Sequence, residues 1–352
     1  MTGEKLISAD SHVAVSLDEV RARVPAGLRP AFDDAIASQA ASERAQRGGR
    51  ELSLASWDLE APRDPGYRDP VARLAAMDRD GVHAEVLYSE VSAFRHFGLV
   101  AGDWKPISRA FTDHLSEFAA HDPDRLAVSY QVPIMDVAYA IEEVQRLAGL
   151  GARSVHLPNF PSELGLPDYH DPGYDPLWGV LQETGISVSH HLGNKASLYE
   201  VLQRDPTPQG AIFTSLPAFA LAEVIGWWIL TGILERFPGL KIVFVESGLH
   251  WIPGFLASLD RRAAGVYDLP GVVLKPSEYF QRNMGCTFVD DPLGVQMRHL
   301  IGVDNILWST DFPHPATTWP RSRETVDRQF AGVPDEERTK MVCANAARMY
   351  GL

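Results

Sequence analysis

The chain has 352 residues, of which 45% are hydrophobic and 22% are charged, and its formal net charge is -14. The apolar fraction excludes an intrinsically disordered chain, and the length suffices for one large or two ordinary domains. The negative charge argues against nucleic acid and anionic membrane surfaces as partners, because both would repel the chain.

Cysteine content and the start of the chain indicate where the protein works. Cys286 and Cys343 are too few for a disulfide framework. Residues 1–13 lack a basic segment followed by an apolar one, which is the pattern of an export signal. The apolar stretch Pro217–Leu234 contains Glu223, so we interpret it as a buried or interface helix and not as a membrane span. We therefore expect a cytoplasmic protein.

Short apolar runs rich in β-forming residues alternate with longer segments of helical spacing. The runs predicted as strands are Lys5–Val13, Ala84–Tyr88, Ala127–Pro133, Ser154–Leu157, Ile186–His191, Ile242–Glu246, Cys286–Val289 and Ile306–Ser309. The segments predicted as helices are Pro70–Asp80, Ile107–His121, Val137–Ala148, Pro176–Thr184, Ala218–Arg236, Ile252–Ala264, Leu293–Ile301 and Arg321–Phe330. Eight strands that each precede a helix are typical of a (β/α)8 barrel, and nearly uninterrupted apolar strands suit a sheet buried on both faces.

A doubly wound open sheet is the alternative α/β architecture. That fold usually has a glycine-rich turn after its first strand, whereas here the strand ends in Asp10-Ser11-His12. We therefore predict a single TIM-type barrel domain over residues 1–352. The polar residues 14–69 form a long insert after the first strand, and connections of that length are typically lids or small inserted elements.

Asp10 and His12 are the first candidates for chemistry. Side chains two residues apart on a strand point to the same face, and these two lie where the first strand ends. In a barrel that end forms the active-site face, and a carboxylate beside an imidazole is a favourable start for a metal site. The alternative is a helix-capping Asp next to a surface His.

Other acidic and imidazole residues lie at the ends of later strands. His190 and His191 end the fifth strand, and only one of them can face the barrel interior, because neighbours on a strand point in opposite directions. Glu246 ends the sixth strand and Asp311 follows the eighth, where an isolated buried carboxylate would be unstable. For each of them a cap, an ion pair or a backbone-bonded core histidine is the alternative.

The candidates gain weight as a group. The ends of the first, fifth, sixth and eighth strands of one barrel surround a single axis, and independent helix caps would not gather there. His250 and His314 follow Glu246 and Asp311 on the adjoining loops. We therefore predict that this end of the barrel holds the functional site.

The motifs also resemble a known family. The motifs on which the resemblance rests are ISADSHV near the start, SVSHHLG in the middle, GILERFPGLKIVFVESG, LWSTDFPH and the closing CANAARMYGL. With these motifs the chain resembles the amidohydrolase superfamily, specifically the amidohydrolase-2 branch related to aminocarboxymuconate-semialdehyde decarboxylase. The resemblance covers nearly the whole chain and implies a barrel with one divalent metal.

The resemblance places the metal ligands on Asp10, His12, His191 and Asp311. Two carboxylates and two imidazoles suit Zn²⁺, with Mn²⁺ as the alternative. The fourth strand, SVHLPNF, lacks the lysine that bridges two metals in binuclear relatives, which agrees with one metal. Many decarboxylases of the branch carry a His where this chain has Glu246.

Three functions follow for such a site. The first is hydrolysis of a small carbonyl-containing substrate by a metal-activated water, with Asp311 as general acid and base and with Glu246, His250 or His314 assisting proton transfer. The second is non-oxidative decarboxylation of an aromatic or enoic acid, in which Asp311 protonates carbon. The third is a barrel that binds without catalysis. The sixth-strand glutamate favours hydrolysis over decarboxylation.

The sequence gives weaker signals for substrate contacts and for oligomeric assembly than for the metal ligands. Tyr88, Arg95, Asn159 and Trp319 lie on predicted mouth loops and suit a planar small-molecule substrate, with Arg95 available to a carboxylate. The segment Ala218–Leu234 is more apolar than one barrel helix requires, so we expect a homodimer interface there or a long loop that covers it.

Overall fold

The computed structural model describes residues 4–46, 64–89, 97–193, 201, 203–207, 210–265, 269 and 271–352. Within them eight parallel strands form one sheet in which each strand pairs with the next along the chain. The strands are β1 Leu6–Val13, β2 Val82–Ser89, β3 Leu126–Gln131, β4 Ser154–His156, β5 Ser187–His191, β6 Ile242–Val245, β7 Met284–Phe288 and β8 Ile306–Trp308. The (β/α)8 barrel predicted from the alternation is confirmed.

Helices surround the sheet. They are α1 Leu17–Arg23, α2 Arg29–Gln46, α3 Pro70–Asp80, α4 Lys105–Ala119, α5 Val137–Gly149, α6 Asp175–Thr184, α7 Ala211–Ser215, α8 Ala220–Leu230, α9 Ile233–Arg236, α10 Ile252–Ala263, α11 Pro276–Asn283, α12 Pro292–Gln296, α13 Arg298–Ile301, α14 Ser322–Gln329, α15 Asp335–Thr339 and α16 Asn345–Tyr350, with a π-helical turn Lys340–Ala344 before the last. The insert after β1 therefore begins with two helices, and α1 packs against α4 through an ion pair between Arg23 and Glu117.

Two predicted helices are divided in the structure. The predicted helix Ala218–Arg236 was wrong as one element, because Gly232 adopts a left-handed φ of 75° and separates α8 from α9. The predicted helix Leu293–Ile301 is divided at Met297 into α12 and α13. Local backbone conformations of this kind interrupt a helix without interrupting the apolar pattern.

The barrel has a core inside the sheet and a second one between the strands and the helices. The inner core contains alternate strand residues such as Ile7, Ala9 and Val86, and it includes Tyr350 from the last helix. Ser187, the first residue of β5, donates a hydrogen bond to the carbonyl of Met349. Helix α16 therefore closes the barrel at the end where the strands begin, which leaves the opposite end for the site.

A β-bulge in β1 decides which residues point into the barrel. Ser8 pairs with Glu85 and Ser11 pairs with Leu87, so β1 advances by three residues while β2 advances by two. The extra residue shifts the alternation, as bulges do. Ala9 therefore faces the inner core, and the next residue, Asp10, also faces the barrel interior. The side chain of Asp10 meets those of His12 and His191 at the open end of the barrel.

The fifth strand sends its two histidines in opposite directions. His191 meets Asp10 inside the barrel, whereas Nε2 of His190 accepts a hydrogen bond of 2.9 Å from the indole of Trp228 in α8. Burial lowers the pKa of His190 to about 3, so its ring stays neutral and accepts that bond. His190 thus connects the sheet to the helix layer.

The most apolar helical run is Ala211–Leu230. By length and composition alone it could cross a membrane, but core helices of soluble proteins have the same properties. Leu221, Ile225 and Trp228 are completely buried against the barrel, whereas Leu216 and Phe219 at its start are about half exposed. This burial favours the interpretation of α8 as a barrel helix.

The bond between His190 and Trp228 gives a stability prediction. We expect Trp228→Phe to lower the free energy of unfolding by about 1–3 kcal/mol, because it leaves the buried His190 nitrogen without a donor and opens a small cavity. Trp227, the half-buried neighbour that stacks on His170, provides the control Trp227→Phe, with an expected loss below about 1 kcal/mol. Equal losses in urea denaturation would show that this bond contributes nothing.

Candidate metal centre

Four of the predicted site residues meet where the strands end. Asp10 and His12 come from the end of β1, His191 is the last residue of β5, and Asp311 lies three residues after β8. All four are buried, and none is more than 7% exposed. Their convergence follows from the closed parallel sheet, which brings the carboxyl ends of distant strands to one place.

The donor atoms form two overlapping groups that share His12, one with Asp10 and His191 and the other with Asp311 and His314. Nε2 of His12 lies 3.1 Å from Oδ1 of Asp311 and 3.7 Å from Oδ1 of Asp10. Nε2 of His191 lies 3.4 Å from the same oxygen of Asp10. Ligands that bind a cation at about 2.0–2.2 Å are separated by roughly 3.0–3.5 Å in tetrahedral or octahedral geometry. The separations of 3.1 and 3.4 Å fit this range and the separation of 3.7 Å lies slightly above it, so these side chains are spaced closely enough to bind a divalent ion.

The hydrogen bonding of the four side chains also fits a cation. Among the described residues, the carboxylate oxygens of Asp10, Oδ1 of Asp311 and Nε2 of His191 make no hydrogen bond of normal geometry outside the cluster, and the polar atoms nearest to them belong to the same cluster. Buried polar atoms without partners are unfavourable, and carboxylate oxygens together with imidazole nitrogens are established ligands of Zn²⁺ and Mn²⁺. The donor set thus suits the divalent metal that the resemblance implies.

The backbone fixes the ring of His191. Its Nδ1 donates to the carbonyl of Leu192 at 2.7 Å, which directs Nε2 toward Asp10 and leaves that nitrogen able to bind a metal once its proton is lost. The side-chain amide of Asn159 donates to the carbonyl of His191 at 2.9 Å. Asn159, predicted as a substrate contact, therefore supports the strand end that carries His191.

Two residues of the site have strained backbones. Glu246 and Asp311 are the non-glycine residues with positive φ in the described part of the chain, at 57° and 54°. The amide of Glu246 donates to Oγ1 of Thr287, and the amide of Asp311 donates to the carbonyl of Asp10. Such conformations cost about 1–3 kcal/mol each and are concentrated at functional sites.

The acidic side chains influence one another's protonation. Burial, reinforced by the charge of Asp311, raises the pKa of Glu246 to about 8. Burial alone would raise the pKa of Asp311, but the neighbouring His314 and His12 outweigh it and lower that pKa. Burial likewise opposes the charged form of His191, yet Asp10 raises its pKa to about 9. Protons on Glu246 and His191 thus limit the charge of the pocket, and a bound dication would favour the deprotonated forms of both groups.

The two loop histidines differ in position. His314 is buried, stacks on His12 at 3.8 Å between ring centres, and places Nδ1 2.9 Å from Oδ1 of Asp311. The side chain of His250 is 49% exposed, and its ring contacts Asp291 at 3.0 Å. The structure therefore brings His314 into the cluster, whereas His250 is held outside it by the largely buried carboxylate of Asp291.

The remaining predicted substrate residues are occupied by structural contacts or lie outside the description. The hydroxyl of Tyr88 contacts Ser189 and Tyr350, so only the ring faces the imidazoles, with its centre 5.1 Å from that of His191. Trp319 packs edge-on against Phe312, and its indole donates to a carbonyl of α3. Arg95 lies outside the described residues.

His156 is a site residue that the sequence analysis missed. It ends β4, is 4% exposed, and its ring lies 6.0 Å from that of His191 and 5.6 Å from that of Tyr88. The signal was present, because SVHLPNF places an imidazole at the end of a strand, as with His12 and His191.

The cluster predicts which imidazole is needed to bind metal. We expect His191→Ala to lower the affinity for Mn²⁺ by at least about 100-fold, since losing a ligand should cost at least as much as losing an outer-shell partner. His250→Ala is the matched control and should bind Mn²⁺ as the wild type does. Titration monitored by metal analysis after gel filtration measures both, and a normal affinity in His191→Ala would remove this residue from the ligand set.

The same cluster predicts that metal binding releases protons. Below about pH 8–9 the metal-free protein holds protons on Glu246 and His191. A cation that binds His191 must displace the proton on its ring, and the positive charge of the cation makes the proton on Glu246 less stable. The apparent affinity for Mn²⁺ should therefore rise from about pH 6 to about pH 8.5, by roughly tenfold per unit for each proton released. Calorimetry in buffers of different ionisation enthalpy counts the protons, and a flat affinity would contradict the prediction.

Comparisons with known proteins place this site in a family. Residues 9–352 match the amidohydrolase family Amidohydro_2. The gamma-resorcylate decarboxylase of Rhizobium sp. (strain MTP-10005) is 26% identical over 306 residues, which cover 80% of this chain and 86% of the relative. Among solved structures, an amidohydrolase from Mycobacterium avium subsp. paratuberculosis K-10 superposes over the whole of both chains with a TM-score of 0.77 and 21% identity.

A further solved structure of the same fold is 5-carboxyvanillate decarboxylase from Novosphingobium aromaticivorans DSM 12444, complexed with manganese and 4-hydroxy-3-methoxy-5-nitrobenzoic acid. It matches over the whole of both chains with a TM-score of 0.71 and 17% identity. The family resemblance read from the motifs is confirmed over nearly the whole chain. This protein belongs to the amidohydrolase family, in its amidohydrolase-2 branch.

Proposed function

We propose that the protein is a metal-dependent, non-oxidative decarboxylase of a hydroxylated aromatic acid. The observation that carries the proposal is the convergence of Asp10, His12, His191 and Asp311, in which three neighbouring donor pairs lie 3.1–3.7 Å apart, in a chain whose curated relatives are decarboxylases. The relatives favour decarboxylation, whereas the sequence alone had favoured hydrolysis.

Asp10, His12, His191 and Asp311 would hold the cation. When bound, a dication supplies positive charge that fixes and polarises the carboxylate and neighbouring hydroxyl of an acidic substrate. Mn²⁺ is the ion named for a relative of the same fold, and Zn²⁺ remains the alternative suited to the same donors. The ring of Tyr88 and the imidazole of His156 add flat, buried surface beside these donors, which suits an aromatic ligand.

Asp311 is the group proposed to deliver the proton. It passes a proton to the ring carbon that bears the carboxylate, the bond between that carbon and the carboxylate breaks, and the electron pair of this bond restores the aromatic ring as carbon dioxide leaves. Because His314 and His12 lower the pKa of Asp311, its carboxylate is ionised near neutral pH and must take up a proton before each transfer to carbon. His314, 2.9 Å from Asp311, is placed to return a proton to it from solvent.

Metal-assisted hydrolysis remains the second candidate because of one residue. Glu246 stands where many decarboxylases of the branch carry a His, and it is partly buried beside the cluster. In hydrolysis Asp311 would move protons between water and the leaving group, with Glu246 and His314 assisting. The two reactions differ in the origin of the atoms in the product, which isotopes can distinguish.

The reaction is tested with the manganese-loaded enzyme and the substrates named for its relatives, gamma-resorcylate and 5-carboxyvanillate. In deuterated water, decarboxylation leaves one deuterium on the carbon that lost its carboxylate and releases carbon dioxide. In ¹⁸O-labelled water, the aromatic product gains no ¹⁸O. No release of carbon dioxide from either acid, together with ¹⁸O incorporation into the acid formed from an amide or ester substrate, would favour hydrolysis.

The proposed role of Asp311 predicts the effect of its replacement. We expect Asp311→Asn to lower kcat by about 10²- to 10⁴-fold, because the amide cannot donate the proton. The comparison is made at Mn²⁺ concentrations that saturate the variant, with metal content measured in the same samples. Turnover near the wild-type rate with metal retained would refute the proton role.

Three expectations about the surroundings of the enzyme stay predictions. These are a cytoplasmic location, a small-molecule substrate without nucleic acid or membrane partners, and a homodimer. Phe219, which is about half exposed, lies in the segment Ala218–Leu234 on which the dimer prediction rests.

A further inference from the structure

A buried ion pair lies directly behind the metal centre. Arg73 of α3 and Glu85 of β2 are both completely or almost completely buried, and Nε of Arg73 lies 2.5 Å from Oε2 of Glu85. Two charges removed from water gain little net stability from each other, because desolvation offsets much of their attraction. The pair therefore needs an explanation other than stability alone.

The guanidinium of Arg73 reaches the backbone of the cluster. Its Nη1 donates to the carbonyl of His12 at 2.7 Å and more weakly to the carbonyl of Gly66 at 3.3 Å. Its central carbon lies 4.5 Å from the ring centre of Phe312, the residue after Asp311. One side chain thus contacts the main chain of one proposed ligand and the immediate neighbour of another.

These contacts coincide with the closure of the barrel between β1 and β8. The amide of His12 donates to the carbonyl of Phe312 at 2.7 Å, and the amide of Asp311 donates to the carbonyl of Asp10 at 3.0 Å. The segment after β8 has a left-handed residue at Asp311, and hydrogen bonds from β1 also hold it, such as the one that the amide of Thr310 donates to Oγ of Ser8. Arg73 adds the contact to the carbonyl of His12 on the β1 side of the junction. Arg73 holds this junction from the outer face of the sheet.

We propose that Arg73, fixed by Glu85, is a positioning residue that sets the spacing of His12 and Asp311 for the metal. The inference rests on the metal ligands assigned under the proposed function. Arginine suits the task because its planar fork serves the carboxylate, the carbonyl and the aromatic ring at the same time, which a lysine ammonium cannot do.

The test removes both charges together. Arg73→Met alone would leave Glu85 buried and unpaired, which destabilises the fold for reasons unrelated to metal. The double variant Arg73→Met/Glu85→Leu replaces the pair with apolar side chains and should unfold cooperatively, as the wild type does. Its affinity for Mn²⁺ should fall by about 10- to 100-fold, the usual effect of losing an outer-shell contact.

A matched control removes an ion pair elsewhere. Glu143 is completely buried in α5 and binds Arg146 at 2.7 Å, and the contacts of this pair are with α4. The double variant Glu143→Leu/Arg146→Met should bind Mn²⁺ as tightly as the wild type. A loss of affinity in the control equal to that in Arg73→Met/Glu85→Leu would overturn the inference.

The variant Arg73→Lys decides the matter if the double variant fails to fold. Lysine keeps a positive charge for Glu85 but is not expected to hold the carbonyl of His12 as well, so we expect normal unfolding with weakened Mn²⁺ binding. Wild-type affinity in a folded Arg73→Lys or Arg73→Met/Glu85→Leu variant would show that Arg73 is only structural. Failure of the wild type itself to bind Mn²⁺ would instead refute the proposed function together with this inference.

Discussion

The organisation of this protein depends on the burial of acidic side chains at one end of the barrel. Asp10, Asp311 and Glu246 come from three separate strand ends, and burial together with mutual repulsion raises the pKa of Glu246 to about 8. Nearby imidazoles offset only part of this repulsion. A dication bound among these oxygens would offset their mutual repulsion. An arrangement of like charges that is unfavourable by itself can then serve as a metal site.

The fold accepts local irregularities to reach this arrangement. The bulge in β1 turns Asp10 inward immediately after an inward-facing Ala9, and left-handed backbones place Glu246 and Asp311. Side-chain hydrogen bonds to backbone carbonyls support two of the strand ends that carry ligands. Arg73 holds β1 and the segment after β8, whereas Asn159 holds β5 through the carbonyl of its last residue. Regular secondary structure supplies the framework, and side-chain hydrogen bonds set the final positions.

Much of the fold and part of the site could be predicted from the sequence. Apolar strand runs and helical spacing gave the barrel, because those periodicities reflect burial directly. The break at Gly232 escaped prediction, since the apolar pattern continues across it. The position of His250 depends on Asp291, which is distant in sequence and binds its ring at the surface. Neither the bulge in β1 nor the backbone of Glu246 leaves a periodic signal, so their effects emerge only in three dimensions.

The most direct test of the metal assignment is anomalous diffraction from crystals of the wild-type protein grown with Mn²⁺. We predict one strong anomalous peak at the mouth of the barrel, within about 2.0–2.3 Å of a carboxylate oxygen of Asp10, of Nε2 of His12 and His191, and of Asp311. A map without a peak among these four residues, or with its main peak elsewhere on the protein, would contradict the assignment.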